Sequence, residues 1–200
     1  MSSKNLDTRE KILIATARLL EEQGGKGARM ADIAKETGIS RQALYLHFKS
    51  RTDVLIAATL YTGDQLNVEE RLAPSRSAKS GVERLALYID FWGNFLPEIY
   101  GVGKALMMVQ DTDEAAAAAW ADRMEAMRDG CRAAIDALIA DDNLAEGWSR
   151  KDAIDAFWTM MLVPNWEALT IDCGWSKKKY IRHIQRIAER TFVRSTNGSD

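Results

Sequence analysis

Apolar residues recur along most of this chain at the three- and four-residue spacing that is typical of one face of an α-helix. The first such segment places Ile12, Leu13 and Leu20 on one side, between Asp7, a residue type that caps helices, and Gly24. Similar segments follow to the end of the chain, and no stretch shows the alternation of a strand. The pattern predicts an all-α fold of about nine helices.

Two short helical patterns lie close together within residues 28–51. The first carries its apolar residues three and four positions apart, and the second places Leu44 and Phe48 on one face. Gly38 between them suits the positive φ that ends a helix, and Ser40 is a good N-cap for the second helix. The arrangement predicts a helix-turn-helix, whose second helix enters the DNA major groove.

The stretches 38–40 (GIS) and 43–51 (ALYLHFKSR) resemble the signature of the TetR family of dimeric transcriptional repressors. The likeness covers roughly residues 7–60. The family usually has a threonine near the start of the first helix of the turn, where it contacts a phosphate. Arg29 and its neighbours stand there instead, so Arg29 is the candidate for that contact.

Specific chemistry is predicted for the exposed side of the second helix. Arg41 and Gln42 lie in its first turn and are the candidates for base edges, because arginine pairs with guanine and glutamine with adenine. Leu44 and Phe48 are assigned to the core. Ser40 is expected to act first as a cap and then as a phosphate ligand.

The resemblance implies phosphate contacts for Tyr45, His47, Lys49 and Arg51. Partial packing in the core is the alternative for Tyr45, and a solvent-exposed side chain is the alternative for His47. The full set predicted to bind DNA comprises Arg29, Ser40, Arg41, Gln42, Ala43, Tyr45, Leu46, His47, Lys49 and Arg51.

Charge is distributed unevenly. Residues 1–62 contain 10 lysines and arginines against 7 acidic residues, whereas the remaining 138 residues contain 17 against 22. A basic small part joined to an acidic larger part suits a protein with one DNA-facing end. We expect a helix-turn-helix domain in residues 1–50 and an effector-binding and dimerisation domain in residues 51–200.

Later helices are delimited by caps and prolines. The fourth is expected to run from Arg51 to near Pro74, followed by a connecting loop, and Pro97 to end the fifth or begin a short sixth. Asp111 is expected to cap the seventh, and Pro164 to kink the eighth. The eighth helix is apolar almost all round and the last is amphipathic. Pairing these two with a second copy predicts a homodimer, and the resemblance implies the same interface.

The larger part is rich in tryptophan and methionine, residue types that suit an adaptable apolar cavity but also fill ordinary helical cores. The resemblance implies an effector pocket there. Its predicted lining is Phe91, Phe95, Trp120, Met124, Phe157, Trp158, Met161 and Trp166. The identity of the effector is not readable from these residues.

Other classes of function are poorly supported. His47 and His183 are the only histidines, and neither lies in a nucleophile, metal or phosphate-loop motif, so we expect no enzyme activity, cofactor or metal. No apolar run is long enough to span a membrane, and the start of the chain is unlike a signal peptide, which favours a cytoplasmic protein. Cys131 and Cys173 are expected to be buried structural thiols.

These features together predict a homodimeric DNA-binding regulator. We expect a repressor that a small apolar or amphipathic effector releases from a palindromic duplex operator. The alternative is a helix-turn-helix dimer that binds no ligand and is regulated by protein partners or by its abundance. A cavity in the larger domain would separate the two.

Overall fold

The computed structural model describes residues 7–195 and is all-α over that range, as predicted. Ten α-helices and one π-helical turn follow one another, and the strand pairing of the described residues is a single bridge between Leu144 and Val193. The helices are α1 (Thr8–Glu22), α2 (Met30–Thr37), α3 (Arg41–His47), α4 (Arg51–Gln65), α5 (Val68–Arg76), α6 (Gly81–Val109), α7 (Glu114–Ala140), α8 (Arg150–Met161), α9 (Val163–Glu167), the π-helical turn (Ala168–Asp172) and α10 (Lys177–Phe192).

Side-chain caps start several helices where the sequence predicts them. Ser50 and Asp53 form a reciprocal capping box at α4, with both amide-to-oxygen distances 3.0 Å. Asp7, Ser149 and Ser176 likewise accept from backbone amides at the starts of α1, α8 and α10. The predicted helix starts at these positions are confirmed.

The fourth helix is shorter than predicted. It ends at Gln65, and α5 is a separate helix that occupies the segment expected to hold the end of α4 and part of the loop. Asn67 has φ of 49°, in the left-handed region that asparagine tolerates better than most residues. A single asparagine therefore ends the helix before Pro74 is reached, and Pro74 lies inside α5.

Two prolines also behave differently from the prediction. Pro97 neither ends nor starts a helix, because α6 continues through it from Gly81 to Val109. Buried side chains on both sides, Leu96 and Val102, hold the two halves of α6 in place and offset the lost hydrogen bond. Pro164 does not kink one long helix: Leu162 is extended, and Pro164 lies in the first turn of α9.

The chain separates into two compact units that share α6 and α7. One unit contains the described residues up to Val68 together with Glu98–Arg123, and the other contains Glu69–Pro97 and the described residues from Met124 onward. The predicted domain boundary after residue 50 stays a prediction.

The core of the first unit joins the helix-turn-helix to the second half of α6. Ile12, Leu44 and Val54 come from the N-terminal helices, and Val102 and Ala105 from α6; all five are buried in one apolar cluster. Helix α6 approaches α1 closely at Gly101, where a Cβ atom would lie 2.6 Å from the backbone nitrogen of Glu21. Helix α3 is thus held by a core that extends beyond the turn motif.

The second unit packs α6 against α7 and α10 through small residues. A Cβ atom at Gly93 would lie 2.3 Å from Cγ1 of Ile181, and one at Gly130 would lie 2.3 Å from the hydroxyl oxygen of Tyr88. Tyr88 donates a hydrogen bond to the carbonyl of Met127 over 2.6 Å. Gly93 and Gly130 therefore allow α6 to approach α10 and α7 closely.

The two cysteines differ in exposure. Cys131 is buried, as predicted, and burial raises the pKa of its thiol to about 12. Cys173 is exposed, so the prediction of a buried thiol is wrong there. It lies at the end of the π-helical turn, next to Gly174, and no core forms around it.

Candidate nucleic-acid interface

The turn between α2 and α3 is built as the sequence predicts. Gly38 has φ of 70° and ends α2 with its amide directed at the carbonyls of Ala34 and Lys35. Ser40 then accepts a hydrogen bond from the amide of Ala43 over 3.0 Å and starts α3. These local bonds fix the direction of α3.

One side of α3 is anchored and the opposite side is open to solvent. Leu44 is buried, and Phe48 at the end of the helix is buried beneath the guanidinium of Arg9, 5.0 Å from the ring centroid. Tyr45 is 44% exposed and Leu46 is 84% exposed. Leu46 is therefore almost unpacked, whereas Tyr45 is partly covered by the protein. Arg41, Gln42 and His47 are exposed too, and Ala43 is half-buried.

The predicted phosphate contacts lie at the edges of this face. Arg29 is exposed at the N-cap position of α2 and makes no side-chain cap there. Lys49 is exposed beyond α3. Arg51 is half-buried, and its Nε donates to the carbonyl of Ala28 over 2.8 Å. Arg51 thus ties the start of α4 to the segment before α2, in addition to any contact with DNA.

Thr52 and Asp113 form a contact that the sequence does not indicate. The Thr52 hydroxyl donates to Asp113 Oδ2 over 2.7 Å, and the amide of Ala116 donates to Oδ1 of the same carboxylate over 3.1 Å. The Thr52 hydroxyl, followed by the backbone amides, lowers the pKa of Asp113. The carboxylate bonds α4 and caps α7, so the cap of α7 is Asp113 and not the predicted Asp111.

The residues predicted to line an effector pocket are divided between the two units. Trp120 belongs to the first unit and the other seven to the second. Of these, Phe91, Phe95, Phe157, Met161 and Trp166 are buried, and Met124 and Trp158 are half-buried.

An aromatic cluster on α6 connects part of this set. Phe91 and Phe95 stack with their centroids 5.1 Å apart, and Trp92 meets both edge-on. Tyr88 links Trp92 to Phe157 at 6.3 and 6.1 Å. Tyr88 and Trp92 are missing from the predicted lining. They lie on the same broad apolar face of α6 as Phe91 and Phe95, and that pattern in the sequence could have identified them.

Cations already lie on the aromatic faces of the second unit. The guanidinium of Arg71 lies 5.9 Å from the centroid of Phe91 and 5.4 Å from that of Phe95. Arg128 lies 5.1 Å from the ring centroid of Trp158 and pairs with Asp155. These aromatic surfaces therefore accommodate positive charge.

The buried polar atoms of the second unit that have no hydrogen-bond partner among the described residues include the indole Nε1 of Trp158 and the hydroxyl of Tyr180. Burial raises the pKa of Tyr180 to about 12. Such groups cost free energy unless something bonds them. A surface pocket of about 260 Å³ lies elsewhere in this unit, between Ile139, Trp148 and Arg194, and none of the eight predicted residues lines it.

Neither a metal cluster nor a membrane-spanning helix is found in residues 7–195. No group of three or more histidine, cysteine, aspartate or glutamate side chains in that range is placed to hold a metal ion. None of the described helices is both long enough and apolar enough to cross a bilayer.

The anchored turn and the exposed face of α3 define a helix-turn-helix DNA-binding protein. Residues 12–58 match the family described as bacterial regulatory proteins, tetR family. This match confirms the resemblance to the TetR family of transcriptional regulators over the DNA-binding part of the chain.

Relatives and solved structures extend the likeness over at least nine-tenths of the chain. The transcriptional regulator CymR of Pseudomonas putida is 23% identical over 198 residues, covering 96% of this chain and 90% of CymR. A transcriptional regulator from Saccharomonospora viridis, solved in complex with choline, has a TM-score of 0.79 at 19% identity, covering 94% of this chain and 98% of that one. FadR from Bacillus subtilis, solved with stearoyl-CoA, has a TM-score of 0.72 at 15% identity, covering 90% and 97%. At these identities the structures show a shared fold.

Proposed function

We propose that this chain is a homodimeric repressor that a small apolar or amphipathic effector releases from a palindromic DNA operator. The exposed side of α3 carries the proposal. Leu44 anchors one side of α3, while Arg41, Gln42 and Leu46 on this helix are exposed to solvent. The helix has only seven residues, too few to act as a structural support for other helices. DNA occupying this face would explain that exposure, and cytoplasm is the location we propose for such a protein.

Arg41 and Gln42 are proposed to contact base edges. Arg29, Tyr45, His47, Lys49 and Arg51 are proposed to contact phosphates, with Ser40 and Ala43 close to the same backbone. Arg29 and Lys49 are exposed, whereas the bond from Arg51 to Ala28 leaves only part of its guanidinium for DNA.

Dimerisation is proposed through α10 and through the segment from α8 to the π-helical turn, which the sequence predicts as one helix. Ile171 in the π-helical turn is 52% exposed and Ile187 in α10 is 47% exposed, and burying both against a second copy would remove apolar surface from water. A two-fold dimer presents two recognition helices to a palindrome, which supplies the specificity that one seven-residue helix lacks.

An effector site is proposed in the aromatic cluster of the second unit. The buried indole of Trp158 and hydroxyl of Tyr180 are candidates to orient a polar group of the ligand. Two proteins of similar fold were solved with choline and with stearoyl-CoA, both amphipathic or cationic molecules. The close mutual packing of Phe91 with Phe95 also suits the alternative, a dimer that binds no ligand.

The decisive experiment is a binding-site selection with the purified full-length protein, followed by a salt titration on the recovered duplex. We expect a palindrome bound by two copies of the chain. Three cationic phosphate contacts per copy, from Arg29, Lys49 and Arg51, give an expected slope of about −5 in log affinity against log salt. A slope near zero, or a selection that returns no common sequence, would overturn the proposal.

A further inference from the structure

Leu46 is exposed to an extent that packing does not explain. Among the large apolar side chains of the described residues it is the most exposed, at 84%, and Met108 follows at 54%. Water surrounds nearly the whole isobutyl group of Leu46. This group lies in the middle of the face of α3 for which we propose contact with the major groove. Leucine there weakens solubility and gains nothing in the free protein.

Helix geometry places Leu46 at the centre of that face. At about 100° per residue, Gln42 and Leu46 lie about 160° and 200° around the helix from the buried Leu44, so both point almost directly away from the core. Arg41 and His47 lie about 60° to either side of Leu44 and therefore closer to the core. The two residues on the outward line are an amide and an aliphatic side chain.

An aliphatic group on the floor of the major groove has one favourable partner. Most base edges there present hydrogen-bond donors and acceptors, and Leu46 would remove water from these groups without replacing their hydrogen bonds. Thymine is the exception, because its C5-methyl group is apolar. We propose that Leu46 determines operator specificity by packing against the C5-methyl group of a thymine in each half-site. This inference rests on the proposed function and adds the chemistry of one base.

The spacing of Gln42 and Leu46 also predicts where that thymine lies. Four residues of α-helix advance about 6 Å, and base pairs in B-DNA are about 3.4 Å apart. The thymine contacted by Leu46 is therefore expected within about two base pairs of the adenine contacted by Gln42. A selected operator should contain both bases in each half-site.

Deoxyuridine provides a direct test, because it differs from thymidine only by the missing C5-methyl group. Each thymine of the selected operator is replaced in turn, in both half-sites, and binding is measured for the wild type and for Leu46→Ala. One buried methyl group is worth about fourfold in affinity, so two half-sites should give about fifteenfold at a single thymine position. Leu46→Ala should bind the thymine operator at least as weakly as the wild type binds the uracil one, and should lose the thymine preference.

Two variants serve as controls. Leu60→Ala removes another partly exposed leucine, on α4, and should leave the thymine-to-uracil ratio unchanged. Gln42→Ala should keep that ratio while relaxing the adenine preference. Thermal unfolding verifies that Leu46→Ala is folded, as expected when alanine replaces an exposed helical residue.

The outcomes separate this inference from the proposed function. Salt-dependent operator binding with no methyl-sensitive thymine, or with full methyl sensitivity retained in Leu46→Ala, overturns the role of Leu46 and leaves the DNA-binding proposal intact. Absence of salt-dependent binding to any selected duplex overturns both. Equal weakening of all duplexes by Leu46→Ala would mean that Leu46 contacts protein or backbone rather than a base, and also overturns it.

Discussion

At the scale of single residues, we propose that the exposed side chains around α3 divide into those that contact base edges and those that contact phosphates. Arg41 and Gln42 carry several hydrogen-bonding atoms in a fixed plane, which suits paired contacts with one base edge. Lys49 carries a single charge on a flexible stem beyond the helix, which suits a phosphate. Substitutions in the two groups should therefore have different signatures.

Arg41→Ala and Gln42→Ala should each relax base preference at one operator position, with a loss of about 1–3 kcal/mol on the preferred base. Lys49→Ala should weaken all sequences alike and make the salt slope shallower by about 1 per copy. Competition binding on a panel of single-base operator variants measures both effects. A changed base preference in Lys49→Ala, with none in Arg41→Ala, would reverse the assignment.

Single residues were predictable where their partners are close in sequence. Ser40 caps the amide of Ala43, three residues on, and the pattern of apolar residues alone places Leu44 in the core. The bond between Thr52 and Asp113 spans 61 residues, and no local rule announces it. The bond from Arg51 to Ala28 is similar, because only the folded first unit brings them together.

At the scale of elements, glycines decide how closely helices approach. Gly101 and Gly103 are two residues apart in α6 but have different surroundings. A Cβ atom at Gly101 would meet the backbone of α1, at 2.6 Å from the nitrogen of Glu21, whereas nothing lies within 4 Å of a Cβ atom at Gly103. Substituting alanine at each of the two glycines therefore distinguishes the cost of a steric clash, at Gly101, from the benefit of a residue with higher helix propensity, at Gly103.

Gly101→Ala should lower the free energy of unfolding by about 1–3 kcal/mol, because backbone atoms of α1 cannot move aside without loss of packing. Gly103→Ala should raise it by about 0.5–1 kcal/mol, since alanine loses less backbone entropy on folding. Urea denaturation at one fixed protein concentration measures both variants. Equal effects of the same sign would show that α6 and α1 are not in close contact in solution.

Helix boundaries were predictable from capping residues and less so from prolines. Ser50, Ser149 and Ser176 mark real helix starts because their side chains satisfy amides that the helix leaves free. The sequence predicts a boundary at Pro97, but packing on both sides of it outweighs one missing hydrogen bond. Tertiary contacts of that kind are not contained in a local pattern.

At the scale of the whole molecule, the chain has a DNA-binding end and an aromatic unit, and the two share α6 and α7. A ligand changes DNA affinity only through a difference in its own affinity for the free and DNA-bound states. The sequence predicts the aromatic, helical character of the second unit, since it follows from residue types. It does not predict how the rings pack, and so it leaves the lining of any pocket open.

An effector of this protein should weaken operator binding by about 5- to 150-fold, and the operator should weaken effector binding by the same factor. Trp92 and Trp158 provide intrinsic fluorescence near the proposed site, so titrations need no label. Choline and a long-chain acyl-CoA are the first probes, each titrated with and without operator DNA. Equal affinities in both titrations would identify a bystander and favour the dimer that binds no ligand.

The second half of α6 limits which segments of this protein can be exchanged with those of its relatives by recombination. Val102 and Ala105 belong to the same apolar core as α1–α4, although the segment Glu69–Pro97 of the other unit lies between them and Val68 in the chain. Recombination that transferred only the N-terminal segment would leave that core without the side chains that α6 contributes to it. A functional chimera has to carry both separated segments together, so we expect DNA specificity to change more readily by point substitution on α3 than by exchange of the N-terminal segment.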